Sequence, residues 1–321
     1  MAGRAAEHSN HTEVGTAPEP SERDAGPGAD TGPGADTGSG ATVAERVRRV
    51  EGGLSPAERK IARTLTANYP AAGLESASGL ASQAGVSAPT VVRFVARLGF
   101  DGYRHFQQSL REEVQARHAS PLTLAPVIGA DSPTSELVET AQQVSSATLS
   151  QTFTALPEQE FDQAVGLICD PAKRIACFGG RFSQLLAEYL DLHLRLLRPG
   201  TLLHTAAPGR DAGFRLDLSR RDVCVVFDFR RYQDDTVRLA RHAHERGAKV
   251  VLFTDPWLSP VAEFADAVLP ARVEAPSPFD SIAAPLALVD ALVAAVHARL
   301  GAAADERMRA AEEEWSGEAG A

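Results

Sequence analysis

Residues 80–100, LASQAGVSAPTVVRFVARLGF, constrain the chain more than any other stretch, because they punctuate two short helices and the turn between them. Leu80, Ala81 and Ala84 give the first helix a small apolar face. Gly85 ends it, since glycine adopts the left-handed conformation of a helix C-terminus without steric cost. Ser87 is placed to cap the second helix, and Pro89 lies in its first turn, where the missing N–H costs nothing. Val91, Val92, Val95 and Leu98 recur at helical spacing and are assigned to a buried stripe. Thr90, Arg93 and Arg97, three and four apart, share another face. The pattern predicts a helix-turn-helix. Its candidate DNA contacts are Ser87, Thr90, Arg93 and Arg97, with Thr90 and Arg93 near base edges and Arg97 near phosphate. Read alone, the stretch also fits an ordinary helical hairpin with a solvated arginine face.

The net charge of −10 is unevenly distributed. Residues 1–41 carry 2 basic and 7 acidic groups, residues 42–118 carry 11 and 7, and residues 119–321 carry 19 and 28. Only the segment with the helix-turn-helix is basic, as a phosphate-facing module on an acidic body would be. Its charge of +4 is modest, so more than one copy is expected on DNA. No apolar run approaches a membrane span and the N-terminus lacks a signal-peptide pattern, which predicts a cytoplasmic protein with no membrane partner. Cys169, Cys177 and Cys224 lie in or beside apolar runs without metal-ligand spacing and read as reduced core residues.

In chain order, residues 1–41 contain the near repeat GPGADTGPGADTGSG and read as a disordered tail. Residues 42–118 form an all-helical DNA-binding domain. Within it, Ser55-Pro56-Ala57-Glu58 is a strong helix start, with Ser55 and Glu58 as a capping box. A helix over 102–117 carries Tyr103, Phe106, Leu110 and Val114 as its apolar stripe. Residues 119–134, rich in proline and small residues, read as a linker. From 135 to 301 two helices lead into short apolar strands at 174–178, 201–204, 222–227, 249–254 and 267–269, alternating with helices and closing on a long apolar helix over 281–300. This alternation predicts an α/β domain whose parallel sheet is covered on both faces. Residues 302–321 read as a frayed acidic tail.

Ligands of open parallel sheets bind beyond the strands' carboxyl ends. Three loops lie there: Gly179-Gly180-Arg181-Phe182-Ser183, residues 228–233 (DFRRYQ) and residues 275–281 (APSPFDS). Ser183 is placed to cap the following helix, whose start would favour an anion. His204 and Asp280 are the nearest candidates for a general base. His242 and His244, two apart on a helix, do not share a face and are poor metal ligands.

The order of these parts resembles the RpiR/MurR family of bacterial transcriptional regulators, which join a helix-turn-helix to a SIS (sugar isomerase) domain. The resemblance covers about residues 42–300. It is most specific in LSPAERKIA at 54–62, AGVS at 84–87, and TVVRF at 90–94 continuing through Arg97-Leu98-Gly99-Phe100. It implies operator DNA, usually an inverted repeat, as partner; assembly as a dimer or tetramer; and a sensor domain for a phosphorylated sugar or amino sugar. A repressor without catalytic activity, metal or other cofactor is the resulting expectation. A SIS-fold isomerase or binding protein is the alternative.

The sensor loops depart from the family pattern. Where the family commonly has Ser-x-Ser-Gly-x-Thr, the three hydroxyl positions are Asp228, Arg230 and Gln233, and Arg231 replaces the glycine. Two readings follow. In one, Gly179, Gly180, Ser183, Asp228, Arg230 and Arg231 bind an anionic metabolite, a phosphosugar or a carboxylated compound. In the other, Arg230–Asp228 or Arg231–Asp234 pairs fill the pocket and the domain serves only as a dimerisation scaffold.

Overall fold

The computed structural model describes residues 41–123, 132–205 and 211–319. The tail at 1–40 and most of the linker expected at 119–134 lie outside the described residues.

Six helices build the N-terminal part: α1 (Val43–Val50), α2 (Pro56–Ala67), the single turn α3 (Ala71–Leu74), α4 (Ala77–Ala84), α5 (Ala88–Arg97) and α6 (Tyr103–Arg117). The capping box at α2 forms as the sequence predicts: Ser55 N–H donates to Glu58 and Glu58 N–H to Ser55 Oγ. Thr42 and Glu45 repeat the device at α1. Gly85 takes φ 63°, and its N–H caps α4. The core gathers Ile61, Leu65, Leu80, Val91, Phe94, Val95, Phe106 and Leu110, all nearly without solvent contact.

One expected core position is corrected. Val92 is 44% exposed, and Phe94, fully buried, takes its place in the stripe. Positions 91, 94, 95 and 98 keep the i, i+3, i+4, i+7 spacing of one helix face, whereas position 92 is rotated by about 100° from 91. Val114 is only half-buried, and its neighbour Glu113 lies inside.

The C-terminal part opens with α7 (Thr134–Ala155) and α8 (Glu158–Cys169). It then alternates β1 (Arg174–Gly179), α9 (Gln184–Leu197), β2 (Thr201–Leu203), α10 (Asp211–Asp217), β3 (Asp222–Phe227), α11 (Asp234–Glu245), β4 (Lys249–Thr254) and β5 (Ala267–Pro270), and ends with α12 (Ala283–Leu300) and α13 (Ala302–Ala319). All pairings are parallel, in the order β2-β1-β3-β4-β5. The alternate residues of each strand feed two cores, as a period of two requires. Ile175, Cys177, Val223, Val225, Phe227 and Phe253 pack under α8, α9 and α12. Ala176, Phe178, Cys224, Val226 and Leu252 pack under α11. The chain leaves β1 toward β2 on one side and returns to β3 on the other. The crevice at the carboxyl ends of β1 and β3 is therefore the topological switch point where such sheets bind ligands.

Two further expectations are corrected. The tail expected from residue 302 is helical over its described residues: α13 packs Ala304 into the core, and Arg307 donates to the Arg195 carbonyl on α9. The expectation that no apolar run approaches a membrane span is also corrected: α12 is long and apolar enough by length and composition, while Leu288, Val289, Leu292 and Val296 on one of its faces are buried in the domain core.

The two parts meet along α1 and α6. Thr42 Oγ1 donates to the Pro256 carbonyl at 3.2 Å, and Arg272 bridges Glu45 (3.2 Å) and Glu274 (2.9 Å). Arg117, at the end of α6, donates to the Leu258 carbonyl at 2.9 Å and lies 5.1 Å over the Tyr232 ring.

Candidate functional site

On α5 the predicted DNA contacts separate into two groups. Ser87 and Thr90 share a hydrogen bond of 2.7 Å between hydroxyls, and Arg93 donates to Thr90 Oγ1 at 3.4 Å. These three form one polar row, with Ser87 and Arg93 exposed and Thr90 half-buried; Val92 is exposed elsewhere on the helix. Ser87 stands at the N-cap position, but its hydroxyl goes to Thr90 and not to a helix N–H. Arg97 is held away from this row. Its guanidinium donates to Glu58 at 3.0 Å and to the Gly53 carbonyl at 2.8 Å, tying the end of α5 to the start of α2. The exposed Val92 was missed because its apolar character suggested core. On a recognition helix such a side chain suits a thymine methyl.

In the α/β part, a cavity of about 460 Å³ opens at the switch point. Gly180, Ser183, Asp228, Arg230 and Arg231 all line it, while Gly179 lines a second cavity of about 290 Å³ next to it. The expected general bases separate likewise: Asp280 lines the first cavity and His204 the second, where its ring stacks on Phe214 at 4.2 Å. Among the described residues no group of three His, Cys, Asp or Glu side chains is arranged to hold a metal ion.

Most polar side chains at the first cavity are already engaged. Ser183 does not cap α9. Its hydroxyl donates to the Phe227 carbonyl at 2.7 Å and accepts the Gly180 N–H at 2.8 Å. The N–H groups of Gln184, Leu185 and Leu186 are bonded to Gly180, Phe182 and Ser183 carbonyls, so the helical turn begins at Gly180, and the N–H groups it leaves open to an anion are those of Arg181, Phe182 and Ser183. The glycine pair serves this tight turn: a Cβ on Gly179 would lie 2.9 Å from the Ser183 backbone, and one on Gly180 2.9 Å from the Gln233 side chain. Asp228 is 1% exposed. It accepts from Ser259 Oγ and from the Gln233 N–H. Burial, with Asp255 nearby, pushes its carboxyl up to about 7 despite those hydrogen bonds.

Arg230 does not pair with Asp228, its expected local partner. Its guanidinium grips both oxygens of Asp280, lies 5.0 Å over the Trp257 ring and reaches the Ala116 carbonyl at the end of α6. Arg231 is exposed at the cavity and forms no ion pair among the described residues. Its backbone sits at φ 66°, the left-handed region that the family's glycine at this position would enter freely. Its N–H donates to the Arg117 carbonyl at 3.4 Å. The loop that walls the cavity therefore also holds the last turn of α6.

Comparison with known proteins agrees with this architecture. Residues 41–117 match the rpiR-family helix-turn-helix domain and residues 170–295 match the SIS domain. An uncharacterised HTH-type transcriptional regulator of Haemophilus influenzae is 26% identical over 71% of this chain and 78% of its own length. A bifunctional protein glk of Burkholderia mallei is 28% identical over 66% of this chain, but the match spans only 32% of that larger protein. The sugar isomerase domain of an RpiR transcription factor from Sphaerobacter thermophilus superposes with a TM-score of 0.53 and 26% identity, covering 56% of this chain and 99% of that domain. The rpiR-type helix-turn-helix module and the SIS domain that follows it place the chain in the RpiR family of DNA-binding transcriptional regulators.

Proposed function

We propose that this chain represses transcription in the cytoplasm as a dimer or tetramer on an inverted-repeat operator, and that a small anionic metabolite in the SIS cavity changes its affinity for DNA. The observation that carries this reading is the seat of α6. Ala116 and Arg117 present their carbonyls to Arg230 and to the Arg231 N–H, on the loop that walls the cavity. A ligand that shifts this loop shifts α6, and Phe106 of α6 packs edge-on against Phe100 at the end of the helix-turn-helix. The route from metabolite to DNA is then a few contacts long.

Arg181 and Arg231, exposed at the cavity, support an anion as the ligand. A phosphosugar and a carboxylated compound both carry the required charge. Assembly is supported by the modest charge of the DNA-binding segment and by apolar side chains left on α7, where Val138 is 63% and Phe153 44% exposed. Regulation without turnover is supported by the separation of His204 and Asp280 into different cavities.

The test is fluorescence anisotropy with DNA from upstream of the protein's own coding region, against a scrambled duplex, across a salt series. Preference for the native duplex, an affinity falling linearly with salt on logarithmic axes, and two protected half-sites about one helical turn or a multiple apart are expected. Equal binding to both duplexes would refute the reading.

A further inference from the structure

The polar groups around the first cavity show what it is able to hold. Ser183 uses its hydroxyl on Phe227 and Gly180, Asp228 is closed under Ser259 and Gln233, and Asp280 is closed by Arg230. Ser281 accepts the Ala283 N–H at 3.1 Å. A sugar brings several hydroxyls, and each one buried against a wall without a partner loses its water at a cost. The helix starts do not compensate. The open N–H groups of the turn into α9, those of Arg181, Phe182 and Ser183, converge on a single anionic head and not on a set of hydroxyls, and the first turn of α11 carries Asp234 and Asp235, which already answer that helix's dipole and repel a phosphate.

Apart from the Gln233 amide and the Ser281 hydroxyl hydrogen, the open side chains are of two other kinds. Arg181 and Arg231 form no ion pair among the described residues, and both line the cavity. Beside them lies apolar surface. Phe182, Leu185 and Phe279 are 65%, 55% and 63% exposed at the rim, with Phe229, Ile282 and Pro285 among the other lining residues. Large apolar side chains gathered in water around a concave, partly charged site mark a place where an apolar body is received.

Given the sensor reading, on which this inference rests, we propose that the cavity binds a small amphiphilic anion: a carboxylate or phosphate monoester carried on an aryl or alkyl body. The head group sits on the forks of Arg181 and Arg231. The body covers Phe182, Leu185 and Phe279. A polyhydroxylated phosphosugar has the charge for this site but not the surface. The volume of about 460 Å³ lies within the range of pockets that enclose small-molecule ligands.

Isothermal titration of the full chain with phenyl phosphate, phenylacetate and glucose 6-phosphate tests this. The variants are Arg231→Gly, whose backbone accepts φ 66° without strain, Arg181→Gln and Phe279→Ser. At least one aryl anion should bind about tenfold or more tightly than glucose 6-phosphate, and each variant should weaken it by a similar factor. Glucose 6-phosphate binding as tightly as both aryl anions overturns the amphiphile and leaves the sensor standing. Binding of none of the three at millimolar concentration overturns both. Loss of oligomer in sedimentation on Phe279→Ser, with aryl-anion affinity unchanged, assigns the apolar rim to a second copy of the chain and also overturns the proposal.

Discussion

Arg230→Ala tests the connection between cavity and DNA-binding part directly. The Arg230 side chain is 8% exposed, and its partner Asp280 keeps 25% of its surface in water. Removing one member of a fully buried pair costs about 3–5 kcal/mol, because the other charge is left uncompensated. Here water reaches Asp280, so the pair contributes less, about 1.5–3 kcal/mol for its charge-assisted hydrogen bonds. Loss of the contact over Trp257 adds about 0.5–1 kcal/mol. The bond to Ala116 is long, at 3.5 Å, and adds little. The expected destabilisation is therefore about 2–4 kcal/mol. It is read as a shift of the sensor domain's urea midpoint by tryptophan fluorescence, since Trp257 itself reports the change. Asp280→Asn keeps the shape and one acceptor and should cost about half as much. Because Arg230 also holds the end of α6, tryptic cleavage after Arg117 should accelerate in Arg230→Ala at urea concentrations where the sensor domain is still folded. A midpoint shift equivalent to less than about 0.5 kcal/mol, within the range of ordinary surface changes, together with unchanged cleavage, would refute the argument.

Glu113 offers a pH test. It is 7% exposed, accepts the Val43 N–H at 2.7 Å and the Tyr69 hydroxyl, and burial pushes its carboxyl from 4.5 up to about 7. The folded state then binds a proton that the unfolded state has released, so this group's contribution to stability falls as pH rises from 4.5 to about 7. Glu113→Gln removes that dependence, and its stability relative to the parent should improve by about 2–3 kcal/mol across the window in thermal melts; a constant difference would count against it. Arg93→Ala should lose about 1–3 kcal/mol of operator binding and relax base choice, while Val92→Ala should lose discrimination only at a thymine, both read by anisotropy on single-base operator variants. If neither variant differs from the parent, α5 is not the reading helix. Gly179→Ala forces a Cβ to 2.9 Å from the Ser183 backbone and should destabilise by about 1–3 kcal/mol in urea melts; an unchanged midpoint would mean the turn relaxes freely.

Local chemistry was legible in the sequence at the helix start and the turn whose donor and acceptor lie within one turn of each other, though not at Ser87, whose hydroxyl goes to the Thr90 side chain. The capping box of Ser55 and Glu58, the Gly85 turn and the five short strands follow from spacing and residue type, because a helix start or a half-turn is decided by neighbours three or four residues apart. The family resemblance rested on those same local signals. The sensor loop did not yield in the same way. Arg230 had Asp228 two residues away, yet β3 carries Asp228 inward under Ser259 while the loop before α12 brings Asp280 to the guanidinium from fifty residues on. Ser183 has a cap's position, but the approach of β3 gives its hydroxyl the Phe227 carbonyl instead of a helix N–H. Val92 and Phe94 differ only in which side of α5 the rest of the domain covers, and both are apolar. α13 read as solvated acid because its few core contacts, such as Ala304 against the domain, are small residues with no periodic signal. Each of these was settled by a partner distant in sequence, and the free energy that selects such a partner comes from packing the whole domain at once.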